Sequence, residues 1–207
     1  MNTKKGILFD MDGTLLNSLE EEAMKKVLFA LQEDKALILH LLSKNVNSYS
    51  DFIRVLYQEV DETKANAIAQ TIEDVLHKHY EDVNLIPDAR KFLSYLKKQG
   101  YKISLCTNNA LPIVSKILKD KDLQDFFDFI ITSNDVSKSK PDPAMYLLAM
   151  KHLQLCEEEC VIFEDSSVGI EASKRANIDC IVVSNTKKDE ALLHIEDYRD
   201  PSLYQLF

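Results

Sequence analysis

Polar residues of a restricted kind stand directly after short apolar runs in this chain. Asp10 and Asp12 follow Ile7-Leu8-Phe9, Thr107 and Asn108 follow Ile103-Ser104-Leu105-Cys106, and Glu164 and Asp165 follow Val161-Ile162-Phe163. Lys140 lies in a loop after Phe129-Ile130-Ile131-Thr132, where Pro141 biases it toward an extended backbone. Brought together, four carboxylates repel one another: at ~4 Å and an effective dielectric of ~20, each pair costs roughly 4 kcal/mol. A cation among them removes that cost. All-oxygen ligands select a hard ion, and Mg²⁺ suits a few carboxylates, water and a substrate phosphate. Lys140 and such a metal would give a phosphate group local positive charge, with Thr107 and exposed backbone N–H groups left to hold its remaining oxygens.

The elements that must position these residues can be read from the hydrophobic pattern. Short apolar runs at 6–10, 101–106, 129–132, 161–163 and 180–183 alternate with amphipathic stretches around 92–98, 112–118, 143 onward and 170–176. That alternation predicts an α/β fold, a parallel sheet covered by helices on both faces. Ligands in such sheets bind outside the carboxyl ends of the strands, where the polar residues above would lie. From 18 to about 83 the texture is helical throughout. Ser18 with Glu21 has the spacing of a capping box, Ser48 with Asp51 opens a second helix, and Asp61 can cap a longer third. No strand-like run interrupts this segment, so it is a helical insertion after the first strand. Asp142 and Pro143 predict a further helix start, and Gly100 a helix end.

Composition narrows the partners. The 207 residues are 45% hydrophobic and 29% charged, ordinary for a soluble domain, with a formal net charge of −9. Such a surface repels nucleic acid and anionic lipid, and no basic block overrides it. No stretch reaches the length of a membrane span or of a signal-peptide core, so a cytoplasmic location is expected. Cys106 and Cys180 sit in strand-like runs as reduced core thiols, and Cys156 and Cys160 lack zinc-site spacing. The five histidines fall in helical patterns without partner motifs and read as structural or surface residues. Nothing suggests a subunit seam, so a monomer is expected.

Asp10-Met11-Asp12-Gly13-Thr14-Leu15 resembles the DxDGT motif of the haloacid dehalogenase-like superfamily. Thr107-Asn108, Lys140-Pro141 and Phe163-Glu164-Asp165-Ser166 resemble its second, third and fourth motifs, in the right order. The resemblance implies a Rossmann-like three-layer core, residues 1–16 and 86–207, with an α-helical cap inserted at 17–85. It implies a Mg²⁺-dependent phosphatase acting on a small-molecule phosphate ester, a sugar phosphate by default. Asp10 would attack phosphorus to form an aspartyl-phosphate, and Asp12 would protonate the leaving group and then activate water. Thr107, Asn108 and Lys140 would bind the phosphoryl group. Asp10, the Asp12 backbone carbonyl and Asp165 would hold Mg²⁺, with Glu164 as a further ligand or a supporting partner. Lys44, Tyr49 and Arg54 are the cap residues that could reach a substrate.

Two alternatives stand beside this reading. The β-phosphoglucomutases are similar in core and cap, but they carry a histidine near the cap hinge, and the matching stretch Ser18–Met24 has none. A phosphate-sensing or binding module without turnover is the alternative of another class. Receiver domains of that class also use an Asp, a Thr, a Lys and Mg²⁺, but they are shorter and lack the helical insertion.

Overall fold

The central strand β1 (Gly6–Phe9) is buried along its whole length, as its near-continuous apolar sequence requires of a strand covered on both faces. In the computed structural model, which describes residues 4–18, 20–44, 46, 48–185 and 191–207, it pairs in parallel with β2 (Lys102–Cys106) on one side and β4 (Cys160–Glu164) on the other. The sheet is completed by β3 (Phe129–Ile131), β5 (Asp179–Val183) and β6 (Leu193–Ile195), in the order β3-β2-β1-β4-β5-β6. Every pairing is parallel.

Alternation along the strands divides the core in two. Ile7 and Phe9 face a cluster with Phe163 and Tyr198, covered by α5 (Ala89–Gln99), α6 (Leu111–Asp120) and the short α9 (Leu203–Leu206). Leu8 and Ile162 face the other cluster, covered by α7 (Ala144–Leu153) and α8 (Ser167–Arg175). The result is the α/β three-layer sandwich that the sequence pattern predicts.

Four helices precede α5: α1 (Glu20–Ala30), α2 (Lys35–Leu42), α3 (Tyr49–Glu59) and α4 (Glu62–Asp82). They enclose an apolar core of their own, with Val27, Ile38, Leu41, Phe52, Leu56 and Ile68 at its centre. The segment joins the sheet through two chain crossings lying side by side. Asn17 N–H donates to the Asn84 carbonyl at 2.8 Å and Ile86 N–H to that of Leu15 at 2.9 Å.

Several local expectations hold. The Ser48 and Asp61 side chains accept from Asp51 and Lys64 N–H, capping α3 and α4. Gly100 ends α5 with φ +83°, the left-handed conformation that glycine adopts without strain. Others shift. Pro143 is the residue before α7 rather than its first, and Asp142 Oδ1 accepts from Ala144 N–H at 3.1 Å. The Ser18 hydroxyl points to Asp12 instead of closing a capping box, and the Glu21 side chain lies outside the described residues. The strand β6 has only three residues, too few for a periodic signal. All four cysteines are free thiols, and among the described residues no helix is long and apolar enough to cross a membrane.

Candidate active site

Because all six strands run the same way, their carboxyl ends lie along one edge, and β1 is the switch point from which the order runs outward in both directions. The main chain continues each strand by one bond: Asp10 N–H donates to Phe163 O at 3.0 Å, and Thr107 N–H to Ile131 O at 3.0 Å. The side chains just beyond are thereby fixed relative to one another by the sheet itself.

Lys140 is the hub. Its Nζ lies 2.5 Å from Asp10 Oδ1 and 2.7 Å from Glu164 Oε1, and the side chain is 2% exposed. Burial works against the ammonium, but the two carboxylates outweigh it and keep Lys140 charged well above the ordinary lysine range. Glu164 is fully saturated. Oε1 also accepts from Tyr146 Oη at 2.8 Å, while Oε2 accepts from the N–H groups of Asp165 and Ser166 and from the Ser166 hydroxyl. Burial opposes its ionisation, yet Lys140 and these donors hold the carboxyl below its usual range. Asp10 differs: burial pushes it well above the usual range, Lys140 only partly offsets this, and Glu164, Asp165 and Asp12 add repulsion.

Asp12 sits in another environment two residues on. Its Oδ1 accepts from the Ser18 hydroxyl and from Tyr80 Oη at 2.8 Å, and its Oδ2 from Asn109 Nδ2 at 2.6 Å. All three donors are neutral. Burial raises the Asp12 carboxyl above the usual carboxylate range, and the three hydrogen bonds pull it back only in part. One acid is thus clamped by an ammonium and its neighbour by hydroxyl and amide groups.

Two glycines let backbone approach the acids. At Gly13, φ is +70° and an added Cβ would lie 2.1 Å from Asp165 Oδ2; at Gly169 it would lie 1.7 Å from Glu164 Oε1. Asp165 also accepts from the Thr14 hydroxyl at 3.4 Å. Asp10, Glu164 and Asp165 each bring a carboxylate oxygen within 4.8 Å of the others, an all-oxygen cluster suited to a hard divalent cation.

Asp10, Asp12, Thr107, Asn108, Lys140, Glu164 and Asp165 all reach this edge, but not all in the expected posture. Thr107 is buried, and its Oγ1 accepts from Asn109 N–H at 3.2 Å. Asn108 bridges two loops: its Oδ1 accepts from Lys140 N–H at 3.1 Å and its Nδ2 donates to the Lys140 carbonyl at 3.4 Å. Lys44 and Arg54 instead pair with Glu59 and Asp51 on the helical segment, and neither lines the cavity above the site. Tyr49 does line it. Sequence reasoning missed Tyr80, Asn109 and Tyr146. Asn109 directly follows the Thr107-Asn108 pair, a signal that was available. His79, read as structural, is buried beside Tyr80, with Nδ1 2.9 Å from Lys26 Nζ.

The sequence profile of the haloacid dehalogenase-like hydrolases matches residues 7–183. The chain belongs to that family. Among its relatives, YhcW of Bacillus subtilis (strain 168) is 33% identical over 199 residues, covering 94% of this chain and 89% of that one. The phosphorylated carbohydrates phosphatase of Thermotoga maritima is 29% identical over 195 residues, covering 91% of this chain and 90% of that protein. The crystal structure of CbbY from Rhodobacter sphaeroides in complex with phosphate superposes with a TM-score of 0.76 at 22% identity, covering 95% of this chain and 96% of that one. It shares the fold. The hydrolase described here is a phosphohydrolase of this family.

Proposed function

We propose that the hydrolase cleaves a small-molecule phosphomonoester in two steps through Asp10, with Mg²⁺ as its metal. The observation that carries this reading is the contrast between two neighbouring acids, Asp10 held by the Lys140 ammonium and Asp12 by three neutral donors. A cation beside a carboxyl group favours its anionic, attacking form, whereas neutral hydroxyl and amide partners leave a buried carboxyl able to carry a proton, which suits Asp10 to the role of nucleophile and Asp12 to that of proton carrier. An Asp10 carboxylate oxygen attacks phosphorus as the bond to the leaving oxygen breaks, and Asp12 gives that oxygen its proton. Water then attacks the aspartyl-phosphate, Asp12 takes its proton, and inorganic phosphate leaves with the Asp10 carboxylate restored.

The donor set fits a divalent ion. Two buried acids and a half-buried one face one lysine, and Lys140 leaves Asp10 incompletely compensated. Asp10 and Asp165 would hold Mg²⁺ by their side chains and Asp12 by its backbone carbonyl. Of the two roles expected of Glu164, its five hydrogen bonds favour support: it anchors Lys140 and the loop that carries Asp165. Bound there, the metal supplies positive charge that keeps Asp10 ionised and balances the phosphoryl oxygens. Thr107 and Lys140 hold those oxygens, and Asn108 sets the Lys140 backbone. Residues 17–85 act as a cap that closes over the site and excludes water, hinged at the paired crossings near 16–18 and 84–87.

Turnover of p-nitrophenyl phosphate tests this reading. Activity should vanish in EDTA and return with Mg²⁺, and Asp10→Asn should abolish it while the protein stays folded. Full activity in chelator, or more than a few per cent of wild-type turnover in Asp10→Asn, would overturn it.

A further inference from the structure

Above the strand ends lies a cavity of about 510 Å³, floored by the reacting acids and walled by the helical segment. It is more than three times the about 150 Å³ that accommodates a benzene ring. Every charged side chain lining it, Asp10, Asp12, Lys140 and Asp165, belongs to the floor among the described residues. The wall is built from apolar side chains such as Met24, Val27, Phe52, Ile72 and Leu76. Among the described residues, each of its hydroxyls already makes a hydrogen bond within the protein. Ser18 and Tyr80 donate to Asp12, Tyr49 donates to Glu73 at 3.1 Å, and the Ser48 oxygen caps α3.

Resting on the phosphomonoesterase reading above, we infer that the leaving group is an apolar alcohol or phenol, so that the substrate is an alkyl or aryl phosphate rather than a polyol phosphate. The floor handles the phosphoryl group, and the wall can only meet what the phosphoryl group is attached to. A sugar, the default from sequence, would press several hydroxyls against aliphatic carbon, and each buried hydroxyl left unpaired lowers kcat/KM about tenfold or more. A leaving group that carries a carboxylate or a second phosphate would meet a wall with no cation among the described residues. An alkyl chain gains instead, about fourfold for each methylene it buries.

The experiment is a substrate series with a binding arm. With Mg²⁺, kcat/KM should rise about fifteenfold from butyl to hexyl phosphate, and hexyl phosphate should exceed glucose 6-phosphate, phosphoglycolate and pyrophosphate by at least a hundredfold. Any of those three matching hexyl phosphate would overturn the inference while leaving phosphatase chemistry standing. Calorimetric binding to Asp10→Asn needs no turnover: hexyl phosphate should bind at least tenfold more tightly than glucose 6-phosphate, and equal affinities would overturn the inference. Selective binding without hydrolysis of any ester by the wild type would refute the two-step reaction and support the apolar pocket. Met24→Lys, at a position 38% exposed, should lower hexyl phosphate about tenfold relative to phosphoglycolate; an equal change in both would count against the wall.

Discussion

Glu164→Gln separates a supporting carboxylate from a metal ligand. The substitution preserves shape and removes one charge. Five donors now converge on the carboxylate: Lys140 Nζ at 2.7 Å and Tyr146 Oη at 2.8 Å on Oε1, and Asp165 N at 3.0 Å, Ser166 N at 3.1 Å and Ser166 Oγ at 3.0 Å on Oε2. An amide must place its NH₂ at one of these positions. At Oε1 it meets an ammonium; at Oε2 it meets two backbone N–H groups that cannot turn away. Breaking a buried ion pair from one side costs about 3–5 kcal/mol, and Asp10 still holds Lys140, which puts this case near the lower end. For a chain of this size, about 3 kcal/mol corresponds to a Tm lower by roughly 6–12 °C. Calorimetric melting in EDTA reads that loss free of metal binding. Tyr146→Phe removes one donor and leaves both charges paired, so it should lose less. The Mg²⁺ concentration for half-maximal activity should move less in Glu164→Gln than in Asp165→Asn. The supporting role is refuted if Glu164→Gln melts within about 2 °C of the wild type and shifts the Mg²⁺ requirement as far as Asp165→Asn does.

Three further outcomes follow from the same geometry. Asp12→Asn keeps the attacking group and loses the proton carrier, so kcat for an alkyl phosphate should fall roughly 10²–10⁴-fold with the protein still folded. Gly13→Ala puts a methyl 2.1 Å from Asp165 Oδ2 at φ +70°, which should cost about 1–2 kcal/mol from the backbone alone and raise the Mg²⁺ requirement at least about tenfold, read by melting and by Mg²⁺ titration. Burial and the Lys26 ammonium push His79 below its ordinary value, with Asp12, Glu22 and Asp82 opposing. The unfolded chain therefore binds the extra proton first, so this contribution is fully present above about pH 6.5 and is lost as the pH falls from there through the lowered folded-state value. The difference in Tm between wild type and His79→Gln, measured from pH 7.5 to 5.5, should narrow toward acid.

How far the sequence disclosed this site depended on where each residue's partners come from. Asp10, Thr107, Glu164 and Asp165 were legible because each ends an apolar run, and a parallel sheet sends all such ends to one edge. Lys140 was legible as the cation a phosphate would need, though not as the link between Asp10 and Glu164. The Asp12 shell was hidden. Tyr80 lies 68 residues away on α4, where a tyrosine at helical spacing looks like any apolar-face residue, and Ser18 has the sequence context of a helix cap. Lys44 and Arg54 misled for the opposite reason. Long cations on amphipathic helices satisfy themselves on nearby acids, here Glu59 and Asp51, and leave the cavity wall to residues that sequence assigns to a core.

The placement of Ser18 and Tyr80 has a consequence for how the two parts of the molecule work together. Asp10, Lys140, Glu164 and Asp165 are bound to one another within the sheet edge, and none of their hydrogen bonds described above crosses to the helical segment. Asp12 is held otherwise: Asn109 comes from the sheet side, but Ser18 lies beside the first chain crossing and Tyr80 near the end of α4, before the second. Any displacement of α4 against the sheet stretches the Tyr80–Asp12 bond while leaving the Lys140 cluster intact. In the mechanism proposed above, the nucleophile Asp10 is therefore oriented from the sheet edge among the described residues, whereas the proton carrier Asp12 would take its full orientation only with the helical segment seated. A site divided in this way ties proton transfer to the enclosure that keeps bulk water from the reacting phosphorus.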